Sequence, residues 1–493
     1  MYMKKTIVWL LVLVLVLTSF SVVTFAAQPD RTYTYEEDND PVPSTNAYQV
    51  KLVIDESVMG TTRMNNPSDL FVDSQDNIYI LDAGNCRVLV LDKTYRCVKE
   101  LKDFEYNGEI VNLAVGSQGL FYREDTKQLY IADTENNRIL VSDLDGKLAR
   151  IMGAPEDELL DPTVAYKPRK IIVDNMGIMY VTSGNINTGA LLVDSANQFL
   201  GFYGTNKLKQ TAAIQLEHFW RNLFPNAVSS ETFQPVEFNN LYWSDDRFVY
   251  TVSPLVESVA TPISKLNALG NNVFTKEIDM YTLAKERKID FMVLADITVD
   301  TEGAVTILDS STGHLYQYDE GCNLLAIFGG TGYQKGLFQQ AVALEADSQN
   351  GLLILDSAKN SVTVMEQTFY GVQIREANYL YTQGLYQESI EPWMEVLRMN
   401  ANYIQAYVGL GKAYISMGEY EKAMNYFKLG DDPEGYAEAK QLLRDETVRA
   451  NFGLVAGVVI AILIFILFYE KIIDMILDIV WKIRKSFMKK GAK

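Results

Sequence analysis

Histidine and cysteine are scarce in this sequence, at two and three among 493 residues. The cysteines are Cys86, Cys97 and Cys322, an odd count that cannot close into a disulfide framework. Cys86 and Cys97 flank a hairpin whose turn at Asp92–Tyr95 does not set them opposite each other, so free thiols packed as small apolar groups are expected. His218 and His314 cannot build a three-histidine zinc centre. There is no Gly-x-Ser-x-Gly nucleophile elbow, no phosphate-cradling glycine loop and no paired-cysteine motif. Basic residues are also short, 44 Lys and Arg against 63 Asp and Glu. Removing nine basic and three acidic residues at the two chain ends leaves 35 against 60 over residues 28 to 450, a net of −25. That field repels phosphate, which excludes nucleic-acid binding.

Two long apolar runs stand out against this acidic background. Near the N-terminus, Lys4 and Lys5 precede Ile7 to Val23 and then Thr24-Phe25-Ala26. This is the pattern of a secretory signal, residues 1–26, with an uncleaved N-terminal anchor as the other reading. The second run, Phe452 to Phe468, falls in a span assigned to 451–470. Seven basic residues follow it, which places the short tail 471–493 on the cytoplasmic side and the bulk of the chain outside. Ile472 to Phe487 repeats apolar residues at helical spacing. That suits a helix lying on the inner leaflet, or one that simply continues the span.

Between the two runs the chain repeats itself. Pro67-Ser68-Asp69-Leu70-Phe71-Val72-Asp73 is followed by a turn, then Ile78 to Asp82, then Arg87 to Leu91. The frame returns around Leu129–Val141, Ile171–Val193, Ile297–Tyr318 and Leu344–Val364, with a degenerate copy around Leu241–Val252. A period near fifty residues points to a propeller or solenoid. One Asp per unit (Asp73, Asp174, Asp300, Asp347) opens a turn, where its carboxylate can accept from the amide two residues on. A second (Asp82, Asp133, Asp309, Asp356) sits at a strand joint. Asn85 and Arg87, or Asn136 and Arg138, follow the first two and supply the donors a buried carboxylate needs. His314 holds the position of Arg87 and Arg138, so it reads as a joint residue.

These residues, with Phe328-Gly329-x-x-Gly332-x-x-x-Gly336-x-Phe338, resemble the NHL repeat. The resemblance implies a mainly β, six-bladed NHL-type β-propeller over residues 47–372, with insertions near 205–240 and 253–290 around its fourth blade. Tyr48–Ile54 is expected to complete the last blade and so seal the ring. Residues 27–46 are acidic and unpatterned and are expected to form a flexible leader. From Arg375 a 34-residue period matches Gly384, Tyr386, Ser389 and Trp393 to Gly418, Tyr420, Ala423 and Phe427. This resembles the tetratricopeptide repeat and implies a small α-helical domain, 373–450, made of two repeats and a capping helix.

Candidate contacts follow from the two resemblances. Phe219, Trp220 and Phe224 lie in the aromatic insertion before the fourth blade, where propeller insertions often bind. Asn378, Tyr381, Gln405 and Lys412 take the concave register of the helical repeat. The joint residues Asp82, Arg87, Asp133, Arg138, Asp309 and Asp356 are assigned to structure, since the same set recurs in several blades. No catalytic residue, metal ligand or cofactor is assigned, although the acid excess is compatible with a channel calcium. The expected function is a non-enzymatic, membrane-anchored extracytoplasmic scaffold of a bacterial envelope. Its propeller would bind a protein or envelope carbohydrate, and its repeats a membrane-embedded partner. The alternative is a propeller hydrolase or lyase with a divalent cation in its channel.

Overall fold

The computed structural model describes residues 32–35, 41–205, 236–256, 259–286 and 292–490. Short strands alternate with tight turns through six blades. Their inner strands, Asp69–Val72, Gly119–Arg123, Pro168–Val173, Asn240–Trp243, Leu294–Val299 and Ala341–Ala346, neighbour one another around a ring. The blades, I to VI in this order, form a six-bladed β-propeller. Blades I, II, III and V are four-stranded antiparallel meanders. Blade IV has three strands, ending at Ile263–Leu266, and a single bridge Leu266↔Asn272 stands where a fourth would begin.

The expected seal is present. Tyr48–Ile54 pairs antiparallel with Ser361–Gln367 as the fourth strand of blade VI. Closure through both chain ends leaves the ring without a free edge at its seam. Residues 32–35 and 41–44 depart from the unstructured leader expected of them. They form an antiparallel pair added to the outer strand of blade V through Tyr33↔Ile327. Acidic composition concealed the alternation that lets a sheet edge recruit them.

Each turn Asp acts as its sequence predicts. The carboxylates of Asp73, Asp174, Asp300 and Asp347 accept from the amides of Gln75, Met176, Glu302 and Gln349 at 2.9–3.0 Å. The turns also tie neighbouring blades: Ser74 donates to Glu124, Arg123 to the Asn175 carbonyl, and Ser348 to Asp76. Hydrophobic clusters fill the wedges between blades, for example Tyr79, Leu81 and Val88 of blade I against Leu120, Leu129 and Ile131 of blade II.

Beyond the ring, five helices follow: α1 (Phe369–Thr382), α2 (Tyr386–Met399), α3 (Ile404–Ser416), α4 (Tyr420–Leu429) and α5 (Pro433–Lys490). The first four form two hairpins. Gly384 and Gly418, both at φ 77°, make the left-handed turns inside them. Trp393 and Phe427, 34 residues apart, are buried against Gly409 and Gly411, where a Cβ would come within 2.6 and 2.7 Å of the rings.

The hairpins are welded to the propeller. Thr368 caps α1 and donates its hydroxyl to the carbonyls of Asn46 and Ala47, at the start of the sealing strand. Arg375 of α1 binds both oxygens of Asp300 and also Glu302 on blade V, with the Arg375 and Asp300 side chains 5% and 2% exposed. Tyr370, Ile374, Trp393 and Tyr403 share one core with Ala304 and Leu325 of blade V. The last helix, α5, runs for 58 residues without interruption. Its first turns pack Ala439 against α4, and it contains the one described segment long and apolar enough to cross a membrane. Residues 471–490 continue this helix without a break.

Candidate functional site

Strand register superposes the six inner strands and so defines layers along the channel. In blade I Asp69 pairs with Leu81, just before the joint Asp. The matching residues are Gly119, Lys170, Asn240, Asp296 and Ala343. Side chains alternate along a strand, so the next layer on the same face is Phe71, Phe121, Ile172, Tyr242, Thr298 and Glu345. The first layer thus carries three charged residues, Asp69, Lys170 and Asp296, and the second three aromatic ones, Phe71, Phe121 and Tyr242.

Lys170 crosses the channel from blade III and pairs with Asp69 of blade I; the two side chains are 13% and 5% exposed. The other oxygen of Asp69 accepts from the Leu120 amide at 2.7 Å. Opposite, Asp296 takes bonds from the Asn240 amide group and from the backbone amides of Ile297 and Leu344, the last two at 2.8 and 2.7 Å. Glu345 faces the lumen and meets Thr298 at 3.5 Å, a weak contact. Each of the two buried aspartates bridges its own blade to the next. The cluster therefore staples neighbouring blades and, through Lys170, joins blade III to blade I.

Its electrostatics follow from crowding. Burial pushes Asp296 up to about 7, and Asp69 adds to the shift while Lys170 opposes it. Burial in the narrow lumen also raises Glu345 well above the usual carboxylate range, with Asp296 and Asp69 repelling its charge. Burial pulls Lys170 down, but Asp69 and Asp296 outweigh it and hold the ammonium above its ordinary value. Lys170 is thus the fixed charge, and Asp296 is the group that exchanges a proton near neutrality. The space among these residues is about 40 Å³. That holds a few waters and is far below the several hundred Å³ of a substrate pocket.

An ammonium already stands among the carboxylates, and among the described residues no three of His, Cys, Asp and Glu are arranged to hold a metal ion. Carboxylates from three blades do converge here, contrary to a lumen lined only by apolar groups. The sequence carried a signal of this: a polar residue four before the turn Asp recurs as Asp69, Lys170 and Asp296.

The joint aspartates all have hydrogen-bond donors. Asp82, Asp133, Asp309 and Asp356 are fully buried. Asp82 accepts from Asn65 N, Asn85 and Arg87 at 2.7–2.8 Å, and Asp133 from Ala114 N, Asn136 and Arg138 at 2.7–2.9 Å. His314 keeps the register position opposite Asp309, and that carboxylate accepts from Val293 N, Ser311 and Thr312. Asp356 is served by backbone amides from Gln339 to Lys359. The three cysteines are free, as their spacing implied.

Of the expected contact residues, Phe219, Trp220 and Phe224 lie outside the described residues, as does His218. Asn378 and Tyr381 share one face of α1, and Gln405 and Lys412 share one face of α3. Gln405 is exposed and the other three are half-buried, with the Tyr381 ring 5.3 Å from that of Tyr386. Among the described residues a hollow of about 930 Å³ also lies between segments 154–166 and 185–191. Its rim includes Thr188, whose carbonyl accepts from Thr205.

No family model matches the chain, and no curated protein matches it. Solved propellers do resemble it. A protein of unknown function from Bacteroides thetaiotaomicron is 13% identical with a TM-score of 0.41, covering 67% of this chain and 80% of that one. A gluconolactonase from Xanthomonas campestris is 12% identical with a TM-score of 0.39, covering 69% and 99%. Virginiamycin B lyase from Staphylococcus aureus is 10% identical with a TM-score of 0.35, covering 58% and 76%. Likeness at this level carries no argument about chemistry.

Proposed function

We propose that this protein is a non-enzymatic scaffold anchored in a membrane by α5, with the propeller and helical hairpins outside the cell and the basic tail inside. The observation that carries this reading is the single helix that packs against α4 at Ala439 and continues into the exposed apolar stretch. A body joined to its anchor without a break is held at a set height, which suits docking onto a membrane-embedded neighbour. The N-terminal run, read as a secretory signal, and the charge asymmetry around the span support this sidedness. The resemblances to NHL and tetratricopeptide repeats support a protein or envelope-carbohydrate ligand on the propeller and a protein partner on the faces of α1 and α3. The filled, internally paired channel argues against a substrate there.

Crosslinking in intact membranes, then detergent extraction and mass spectrometry of the full-length chain, tests this. A stoichiometric membrane protein linked through residues 375 to 450 is expected. Recovery of the chain alone counts against the scaffold. The convergence of Asp69, Asp296 and Glu345 gives the hydrolase or lyase reading its one foothold. Retention of a divalent cation by the purified protein, lost on replacing Glu345, would favour that reading instead.

A further inference from the structure

The distal part of α5 is amphipathic in a way the span before it is not. At 3.6 residues per turn, Glu470, Lys471, Asp474, Asp478, Lys482 and Lys485 fall within one arc of about 120°. Ile473, Met475, Ile476, Leu477, Ile479 and Ile483 are spread over the opposite arc of about 200°. That arc is bare: Ile476, Ile479 and Ile483 are 51%, 48% and 51% exposed. Arg484 alone among the charges from Glu470 to Lys485 stands on the apolar side, on a stem long enough to lift its head to the water boundary. The segment 471–493 carries seven basic and two acidic residues, a net of +5, on a chain whose remainder is strongly acidic.

We propose that this arm is a lipid-binding surface for an anionic leaflet, its isoleucine face sunk among acyl chains and its charged arc at the headgroups. The proposal rests on the reading of α5 as a membrane span. Two observations select lipid over another occupant. The arm is continuous with the apolar stretch, so it emerges at the bilayer surface, where lipid is present at very high local concentration. Its net charge is opposite to that of anionic headgroups, and the wide apolar arc exceeds the narrow seam of a two-stranded coil. No glycine or proline occurs between Gly457 and Gly491, so α5 has no built-in kink there and the arm meets the leaflet through tilt of the whole helix.

The test uses the full-length chain reconstituted in vesicles of phosphatidylcholine with about a third phosphatidylglycerol. Single variants Asp478→Cys and Ile479→Cys are labelled with a membrane-impermeant maleimide, against the unsubstituted chain as background. At Ile479→Cys we expect labelling about tenfold slower than at Asp478→Cys. Protection should weaken when Lys482, Arg484 and Lys485 are replaced by Gln, or when phosphatidylcholine is used alone. Equal labelling at both sites overturns the proposal. So does a disulfide that joins two copies of the Ile479→Cys variant through the introduced thiol, which would make a second chain the occupant. An alkaline wash separates the two readings. Release of the protein from the vesicles sinks the anchor itself, whereas retention with equal labelling sinks only the lipid-binding arm.

Discussion

At the residue scale, the channel cluster makes stability depend on pH with a definite sign. Asp296 and Glu345 both have folded pKa values raised above their unfolded ones, so the folded protein holds protons that the unfolded chain releases. Their stabilising contribution is complete below the unfolded carboxylate range near pH 4. It is lost as pH climbs through the folded values, about 7 for Asp296. Glu345→Gln removes one of the two groups and keeps an acceptor for Thr298. The variant is therefore expected to be more stable than the parent at pH 8, by roughly 1–3 kcal/mol, and nearly equal to it at pH 4. Denaturant midpoints of the propeller transition at the two pH values check this. A parent and variant that change in parallel would show that Glu345 is not part of the proton balance.

At the scale of elements, the clamp between α1 and blade V decides whether ring and hairpins behave as one body. Arg375 and Asp300 are both buried, so truncating the arginine leaves an uncompensated carboxylate rather than a neutral gap. Arg375→Ala is expected to cost about 3–5 kcal/mol and to expose the junction near Thr368 to protease. Arg375→Met combined with Asp300→Asn should recover much of that loss. Cleavage unchanged by Arg375→Ala would assign the junction to the apolar core around Tyr370 and Trp393. This clamp was not legible in the sequence, since its partners lie 75 residues apart and in different repeat systems. Asp82 and Asp133 were legible because side-chain donors lie three and five residues after each of them. The sealing strand could be placed because an open ring leaves an unpaired edge, and Tyr48–Ile54 is the alternating segment that immediately precedes the first repeat. The channel layer lay between these cases, because the offset of Asp69, Lys170 and Asp296 acquires meaning only once the six inner strands are superposed.

At the scale of the whole molecule, α5 turns local packing into a fixed distance. From Ala439, buried against α4, to Phe452, where the apolar stretch begins, there are thirteen helical steps, or about 20 Å. On the proposed reading of α5 as a membrane span, the hairpins would ride close above the headgroups, within reach of the exposed part of a membrane-embedded partner. Height and rotation can be altered separately. Inserting about eighteen helix-forming residues between Glu446 and Thr447 adds roughly five full turns, so the body faces the same way but stands about 27 Å higher. Membrane retention should be unchanged, because the apolar stretch is intact, while crosslinks through residues 375 to 450 should disappear. Inserting a pair of glycines at the same place nearly keeps the height and removes the rigid phase, and should weaken the crosslinks without abolishing them. If the longer insertion left the crosslinks untouched, the partner would reach well beyond the membrane surface. The propeller, rather than the span, would then set the geometry of the complex.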